Sequence, residues 1–413
     1  MALISALFTG VTGLGSNSKA MEVIGDNISN VNTVGFKASK AQFGDILSTI
    51  LSNGATNPQI GRGTQLMGVT QSFSQGALEQ SDNALDLAID GSGFFIVNNG
   101  EPKNLYSRTG QFRLNDNGKV ASNTGEILQG YEINGTTTAQ SLSDVDLAGV
   151  QSAPSASTEF TLGSNLNSSA SAGITFTSPI TLYNSVGTEV ILNMNFTKLT
   201  GSNSWTFSPN PSSGTLTSAT SGTLTFDTNG QLSTVDGSPV EDQTITIDFT
   251  DATPGGELMT LNWDLATASG VSNGKITGYA AQSNNNSFVQ DGFTTGTLVG
   301  LNVNATGVIS GLFNNGQTSQ LFQVAMADFL APGGLTRAGQ NLWAESADSG
   351  QPVIGTAQRG AFGSILGSTL ELSNVDLAQQ FVTLIQTQQA FQAAARIINT
   401  TDDLLTETVN LVR

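Results

Sequence analysis

Acidic side chains cluster before a glycine near residue 90. Asp82, Asn83, Asp86 and Asp90 precede Gly91, and carboxylate and amide oxygens are the ligands that Ca²⁺ prefers in proteins. An EF-hand loop needs ligands at alternate positions and a glutamate further on, which this spacing does not provide. Asp86 and Asp90 also fit a strand–turn–strand pattern, in which such carboxylates cap turns. We therefore predict no metal ligand here.

Other patterns that resemble catalytic or cofactor-binding motifs are incomplete. Gly10, Gly13 and Gly15 resemble part of a phosphate-binding loop, but no Lys-Ser/Thr follows them and no strand pattern precedes them. Glu241 and Asp242 are adjacent on a predicted strand and would point to opposite faces, so they cannot flank one glycosidic bond. The sequence has no cysteine and no histidine. We predict no catalytic residue, no cofactor and no enzyme.

Composition and charge argue against some classes of binding partner and cellular location. The 413 residues carry a net charge of -18, with lysine and arginine scattered singly, which argues against nucleic-acid binding. No apolar run is long enough to span a membrane. The first basic residue, Lys19, follows the apolar N-terminal run instead of preceding it, so we expect export without a cleaved signal peptide, or no export.

The C-terminal segment predicts a long helix. From Ser373 onward it contains no glycine and no proline, and Ser373 with Asp376 forms a helix-start signature. Apolar residues recur at every seventh position of this segment, and a second heptad position, which begins at Phe381, is only partly apolar. An apolar stripe with a period of seven predicts a partner helix along its length. This C-terminal stripe comprises Leu377, Leu384, Phe391, Ile398, Leu405 and Val412.

The N-terminal segment, from Leu3 to Val31, predicts a matching helix. Ile24 and Val31 occupy its alternate heptad position, and its glycines each weaken a helix by about 1 kcal/mol relative to alanine. Such a helix needs packing against a neighbour, so we expect the two terminal helices to pair with each other and with other copies. The N-terminal stripe comprises Leu7, Leu14, Met21 and Ile28.

Between the helices the sequence predicts an α+β multidomain protein with a β-rich body. Short apolar or alternating runs are separated by Asn-Gly and Asp-Gly turns, which predict a hairpin around Asn117-Gly118 and a buried strand pair from Leu85 to Val97 around Asp90-Gly91. We predict a terminal helical domain (1–31 and 373–413), coiled-coil-like, and a split β-rich domain (32–150 and 286–372). Residues 151–285 are predicted to form an inserted, outer all-β domain, which carries ten acidic residues against two lysines.

Several segments resemble the bacterial flagellar rod/hook axial protein family. DNISNVNTVGFK resembles the N-terminal signature of that family, and the segments LDLAIDGSGFFIV, GLTRAGQNLWAESADSG and LELSNVDL are similar to its later motifs. Gln380 departs from the pattern, since an acid is common there. The signature residues that match are Asn27, Asn30, Thr33, Gly35 and Phe36.

The resemblance implies a self-assembling structural subunit of the flagellum, at its basal body and hook, outside the cell. It implies type III export without a cleaved signal peptide, a homopolymer, and contacts with distal rod, hook cap and hook–filament junction proteins. The inserted domain favours a flexible, torque-transmitting hook over a distal rod, because rod members are usually shorter. A secreted adhesin and a carbohydrate-active enzyme remain as alternatives of other classes.

Overall fold

The computed structural model describes residues 2–46, 49–50, 59–135, 137–218, 221–250 and 257–411. The described chain is mostly β, with one long helix at each end, α1 (Ala2–Ser29) and α2 (Leu377–Leu411). It divides into two compact units. Unit 1 comprises residues 1–149, 300–312 and 318–413, and unit 2 comprises residues 150–299 and 313–317. The two helices therefore share one compact unit with the β-rich segments that precede and follow unit 2 in the sequence.

The start of α2 is set by one carboxylate. Asp376 directly precedes the helix and accepts a hydrogen bond from the Gln379 backbone N–H at 3.1 Å, which makes it the N-cap. Ser373, which the sequence also indicated as the cap, lies outside the helix and contacts the Val375 N–H at 3.4 Å. Neither α1 nor α2, nor any other helix in the described ranges, is long and apolar enough to cross a membrane.

Unit 1 is organised around one antiparallel sheet. Its longest strand, Thr318–Asp328, lies between Val308–Phe313 and Ile127–Asn134. Beyond Ile127–Asn134 follow Phe94–Asn98, Leu105–Ser107, Leu342–Ala344 and Thr336–Gly339 in that order. The remaining strands are Ser39–Asp45, Thr49–Ile50, Gln59–Ile60, Thr64–Gln71, Leu78–Gln80, Leu87–Asp90, Phe112–Leu114, Val120–Ser122, Thr137–Thr138, Ser143–Asp144, Val353–Thr356, Ser364–Gly367 and Thr369–Glu371, with a short 3₁₀ helix at Pro332–Gly334.

The segment from Leu85 to Val97 is not the paired strand–turn–strand that its sequence predicts. Leu87–Asp90 pairs with Ser364–Gly367, whereas Phe94–Asn98 joins the main sheet. Gly91 and Gly93 have φ of 110° and 125°, a backbone region that favours glycine. They turn the chain so that the two strands diverge instead of pairing.

The hairpin predicted around Asn117-Gly118 is confirmed. Phe112–Leu114 pairs with Val120–Ser122, and Gly118 has a φ of 76°. Asn115 Oδ1 accepts hydrogen bonds from the backbone N–H groups of Asn117 and Lys119, both at 3.0 Å, and so closes the turn.

Unit 2 is all β. Two six-stranded sheets share one core, in which Trp263 packs edge-on against Phe207 at 5.2 Å and stacks on Phe160 at 6.0 Å. Its strands are Gln151–Ser152, Glu159–Asn165, Thr175–Tyr183, Glu189–Lys198, Ser204–Pro211, Thr215–Ser218, Gly222–Phe226, Leu232–Val235, Ser238–Pro239, Gln243–Asp248, Leu258–Trp263, Ile276–Thr277 and Asn284–Gln290, and Gly296–Val303 leads the chain back to unit 1.

Candidate assembly surface and the junction that positions it

The two terminal helices pack against each other in antiparallel orientation. Gly10, near the start of α1, lies against Ile398 and Ala394 of α2, and a Cβ built on Gly10 would be 2.9 Å from Ile398 Cγ1. At the other end, Asn27 Nδ2 donates to Gln380 Oε1 at 3.3 Å. The glycine therefore allows close approach of the helices at the free end of the pair.

The centre of the α2 contact is a line of small and polar residues. Thr387, Ala394 and Thr401 recur every seven residues and are the most buried residues of α2 in the described chain. The threonine hydroxyls donate to the carbonyls of Thr383 and Ile397 on their own helix, so their burial leaves no free donor. Each residue of this line lies three positions after a stripe residue, namely Leu384, Phe391 or Ile398. The companion position that the sequence suggested, beginning at Phe381, is exposed except at the half-buried Ala395.

The predicted stripes flank this central line. On α2, Leu377 is exposed and Val412 lies outside the described residues, while the other four stripe residues are half-buried. On α1, Gly10 and Ile24 are buried between half-buried stripe residues. The half-buried positions are Leu7, Leu14, Met21 and Ile28 on α1, and Leu384, Phe391, Ile398 and Leu405 on α2.

Asn27 ties the end of α1 to the strand that follows. Its side chain is 1% exposed, and its Oδ1 accepts from the Ser39 N–H while its Nδ2 donates to the Ser39 carbonyl, both at 2.8 Å. An amide that satisfies one backbone donor and one backbone acceptor mimics a strand partner. This explains an asparagine at this position of the signature.

The other signature residues close the turn after α1. Asn30 accepts from the Thr33 hydroxyl at 3.1 Å and donates to the Asp26 carboxylate at 3.0 Å. Gly35 has a φ of 70°, and a Cβ there would be 2.7 Å from the Thr109 backbone N, so no other residue fits. Phe36 is buried beneath the Arg337 guanidinium, 5.7 Å from its ring centroid.

A buried ion cluster joins this turn to both the β body and the C-terminal segment. Glu371 is fully buried between Lys37 and Arg108. Its Oε1 lies 2.7 Å from Lys37 Nζ and accepts the Gly76 N–H at 2.8 Å, and its Oε2 lies 3.4 Å from Arg108 Nη1. Lys37 Nζ also donates to the Ser74 carbonyl at 2.8 Å. Residues that lie far apart in the sequence thus meet at one carboxylate.

The negative charge of Glu371 partly offsets the cost of burying the Lys37 and Arg108 cations. Burial lowers the pKa of Lys37 and of Arg108, and the charge and hydrogen bonds of Glu371 act in the opposite direction. Next to the cluster, Asn374 accepts the Ala38 N–H at 2.7 Å and donates to the Ser72 carbonyl at 2.8 Å. The segment that leads into α2 is therefore fastened beside the segment that leads out of α1.

Sequence reasoning did not identify Glu371, Lys37 or Arg108 as a functional group. The one available signal was an acidic residue between Leu370 and Leu372, in an otherwise apolar strand pattern. Nothing in a single sequence connects that residue with a lysine 334 positions earlier.

Two of the acidic residues that were considered as metal ligands or catalytic carboxylates accept hydrogen bonds within the fold. Asp86 accepts from the Ser81 hydroxyl and, at 3.1 Å, from Asn83 Nδ2. Asp242 accepts the backbone N–H groups of Leu265 and Ala266; burial alone would raise its pKa, but these hydrogen bonds lower it. Within the described ranges, no group of three or more His, Cys, Asp or Glu side chains is placed to hold a metal ion. Gly10, Gly13 and Gly15 lie inside α1, not in a phosphate-binding loop.

Four family models match parts of the chain, in order from its N-terminal to its C-terminal end. The Flagella basal body rod protein model matches residues 7–37, and the Flagellar hook protein FlgE/F/G D1 domain matches residues 88–165. The Flagellar basal body protein FlaE D2 domain matches residues 152–293, and the Flagellar basal body rod FlgEFG protein C-terminal model matches residues 367–411. Together they include α2, most of α1 and most of unit 2.

Curated relatives match over nearly the whole chain. The flagellar hook protein FlgE of Borreliella burgdorferi is 32% identical over 99% of this chain and 100% of its own length. The FlgE of Escherichia coli K12 is 30% identical over 97% of this chain and 98% of its own length. Among solved structures, the Helicobacter pylori flagellar hook protein FlgE2 aligns with a TM-score of 0.44 and 14% identity, covering 70% of this chain and 98% of its own.

The ion cluster gives a first prediction. Replacing Glu371 by glutamine (Glu371→Gln) leaves two buried cations without their anion, so we expect the free energy of unfolding of unit 1 to fall by about 3–5 kcal/mol. Denaturant unfolding of the full chain measures this, and the transition of unit 2 should not move. Glu22→Gln, which breaks the exposed pair with Lys19 on α1, is the control and should cost less than about 1 kcal/mol. Equal losses in the two variants would contradict the assigned role of Glu371.

The glycines of α1 give a second prediction with a matched pair. Gly10→Val forces a β-branched side chain against Ile398, whereas Gly15→Val meets nothing within 4 Å in the described structure. The two variants change the helix propensity equally, so the difference isolates packing between the helices. We expect Gly10→Val to be the less stable by about 1–3 kcal/mol, measured by thermal unfolding of the helical signal. A difference near zero would show that α1 and α2 do not pack closely at this position.

Proposed function

The chain belongs to the flagellar hook protein FlgE family and is a structural subunit of the hook, and we propose that it polymerises into a flexible helical tube that transmits torque from rod to filament. The paired helices with their exposed apolar side chains carry this proposal. Ile4, Phe8 and Val11 of α1 are each about half exposed in the isolated subunit. Exposed apolar surface of this extent is typical of an interaction site.

The helix pair is proposed as the inner wall of the tube. The half-buried stripe residues and the central line hold α1 against α2 in a coiled-coil-like pair, which leaves the outer flanks of both helices for other subunits. The signature from Asn27 to Phe36 and the Glu371 cluster then fix the pair to the β body. In this proposal the signature residues position the assembly surface without themselves contacting other copies.

Unit 2 is proposed as an inserted, outermost domain. It has its own core of aromatic and aliphatic residues, and residues 151–285 carry a net charge of -8 from ten acidic residues and two lysines. Like charges on neighbouring copies disfavour tight packing. Loose contacts between such domains would let adjacent subunits slide as the tube bends.

The partners and the export route are proposed from the membership of the chain in this family. We propose contacts with the distal rod at one end of the polymer and with the hook cap and the hook–filament junction proteins at the other. We propose export of the unfolded chain through the flagellar type III apparatus, without a cleaved signal peptide. A location outside the cell, in the hook, follows from this route.

Imaging the purified protein tests the polymer. Electron microscopy of the concentrated full chain should show tubes, and these should curve. A stiff, straight tube would instead indicate a distal rod subunit. A chain that stays monomeric at every concentration, while binding a ligand or cleaving glycans, would overturn the proposal in favour of an adhesin or an enzyme.

The role of unit 2 gives a further prediction. Ser152 and Gly296 are paired neighbours on antiparallel strands, so an Asn-Gly turn can replace residues 153–295 with little disturbance of the ends. The shortened chain should still form tubes, because the helices and the Glu371 cluster are intact, but the curvature should change. Electron microscopy beside the full chain measures both properties. Complete loss of tubes, in a variant whose unit 1 still unfolds cooperatively, would assign assembly to unit 2.

A further inference from the structure

The exposed apolar side chains of α2 form two patches that lie on different sides of the helix. The N-half patch consists of Leu377, Phe381 and Ile385, of which Phe381 and Ile385 are 50% and 53% exposed. The C-half patch consists of Ile397 and Leu404, which are 45% and 56% exposed. Neither patch belongs to the central line that faces α1.

Helical geometry separates the two patches. At 3.6 residues and 5.4 Å per turn, the pairs Ile385/Ile397 and Phe381/Leu404 lie about 120–140° apart around the axis and about 18–35 Å apart along it. Within the N-half patch, the spacing of four residues keeps all three side chains on one flank. Within the C-half patch, the spacing of seven residues does the same for Ile397 and Leu404.

Each flank is apolar in one half of α2 and polar in the other. Gln379 and Gln386 occupy the flank of the C-half patch in the N-terminal half, and both are exposed. Asn399 and Asp403 occupy the flank of the N-half patch in the C-terminal half, and both are exposed. The apolar surface thus changes sides midway along the helix. Two other exposed valines, Val382 and Val409, lie outside both patches.

We propose that the N-half patch of one subunit binds the C-half patch of the next subunit, so that α2 carries both halves of a head-to-tail contact. This inference rests on the proposed function and specifies its partner, a second copy of this chain. Two different patches that face different directions make a heterologous contact, which propagates into a helical polymer, whereas a patch that binds itself closes a dimer.

Charge favours a second copy as the occupant. Copies of a chain with a net charge of -18 repel each other, so self-association requires a surface with little charge. From Leu377 to Ala395, which includes the N-half patch but not the C-half patch, the sequence of α2 contains no charged residue. When the two patches meet on parallel helices, adjacent subunits are displaced by about 30 Å along the helix axis, because about 20 residues separate the patch centres.

The absence of cysteine from the sequence makes a direct test possible. Equal amounts of Phe381→Cys and Leu404→Cys chains are mixed, assembled and oxidised, and the disulfide-linked peptides are identified by mass spectrometry. We expect a linkage between position 381 of one chain and position 404 of the other, since a disulfide needs Cα atoms within about 7 Å. Gln386→Cys mixed with Leu404→Cys is the matched control, because Gln386 lies in the same half of α2 on the other flank, and it should give little linkage.

A second measurement tests the proposal without cysteine, because the cysteine substitutions could themselves weaken assembly. Phe381→Gln should raise the protein concentration needed for tube formation by about tenfold or more, as expected when an aromatic residue is lost from an interface. The thermal midpoint of the unassembled subunit should stay unchanged, because Phe381 is half exposed there. Gln386→Ala should leave both quantities unchanged.

The outcomes distinguish this inference from the proposed function. If the unsubstituted chain forms no tubes, the proposed function fails and the inference fails with it. If tubes form but linkages occur only between identical positions, or as readily at position 386 as at 381, the proposed function stands and the patch assignment is wrong. Tube formation by Phe381→Gln at the unsubstituted concentration would likewise overturn the assignment.

Discussion

The pairing of Lys37 and Arg108 with the buried Glu371 carboxylate is the interaction on which the arrangement of unit 1 depends. Removing ions from water is costly, and close opposite charges with further hydrogen bonds offset that cost. The three residues come from the turn after α1, the β body and the segment before α2. Because none of them is stable in this environment without the others, the two ends of the chain must meet for the cluster to form.

The helix pair depends on a different physical principle. Its central line is small and polar, comprising Thr387, Ala394 and Thr401 on α2, and Ala394 lies against Gly10 and Gly13 of α1. Small residues allow a close approach, and the threonine hydroxyls are satisfied within their own helix. The large stripe residues then pack beside this line. Close pairing inside the subunit leaves the remaining apolar flanks exposed, and those flanks are what assembly can use.

The two compact units separate these tasks. Unit 1 holds the helices, the signature turn and the ion cluster, so it contains every feature that we assign to polymerisation. Unit 2 has its own aromatic core and carries much of the negative charge of the chain. A mutation in the Glu371 cluster and a deletion within unit 2 should therefore affect different properties, the first the stability of the subunit and the second the curvature of the polymer.

The sequence by itself determined the terminal helices, the β-rich body and the Asn117-Gly118 hairpin, because helical periodicity and turn chemistry are local. Its motifs also indicated the family. Tertiary structure alone decided that Leu87–Asp90 pairs with Ser364–Gly367, that Glu371 neutralises Lys37, and that the line through Ala394 lies deeper than the apolar stripe. These features join residues far apart in the chain, or depend on how closely two helices approach, and neither property is visible in local sequence patterns.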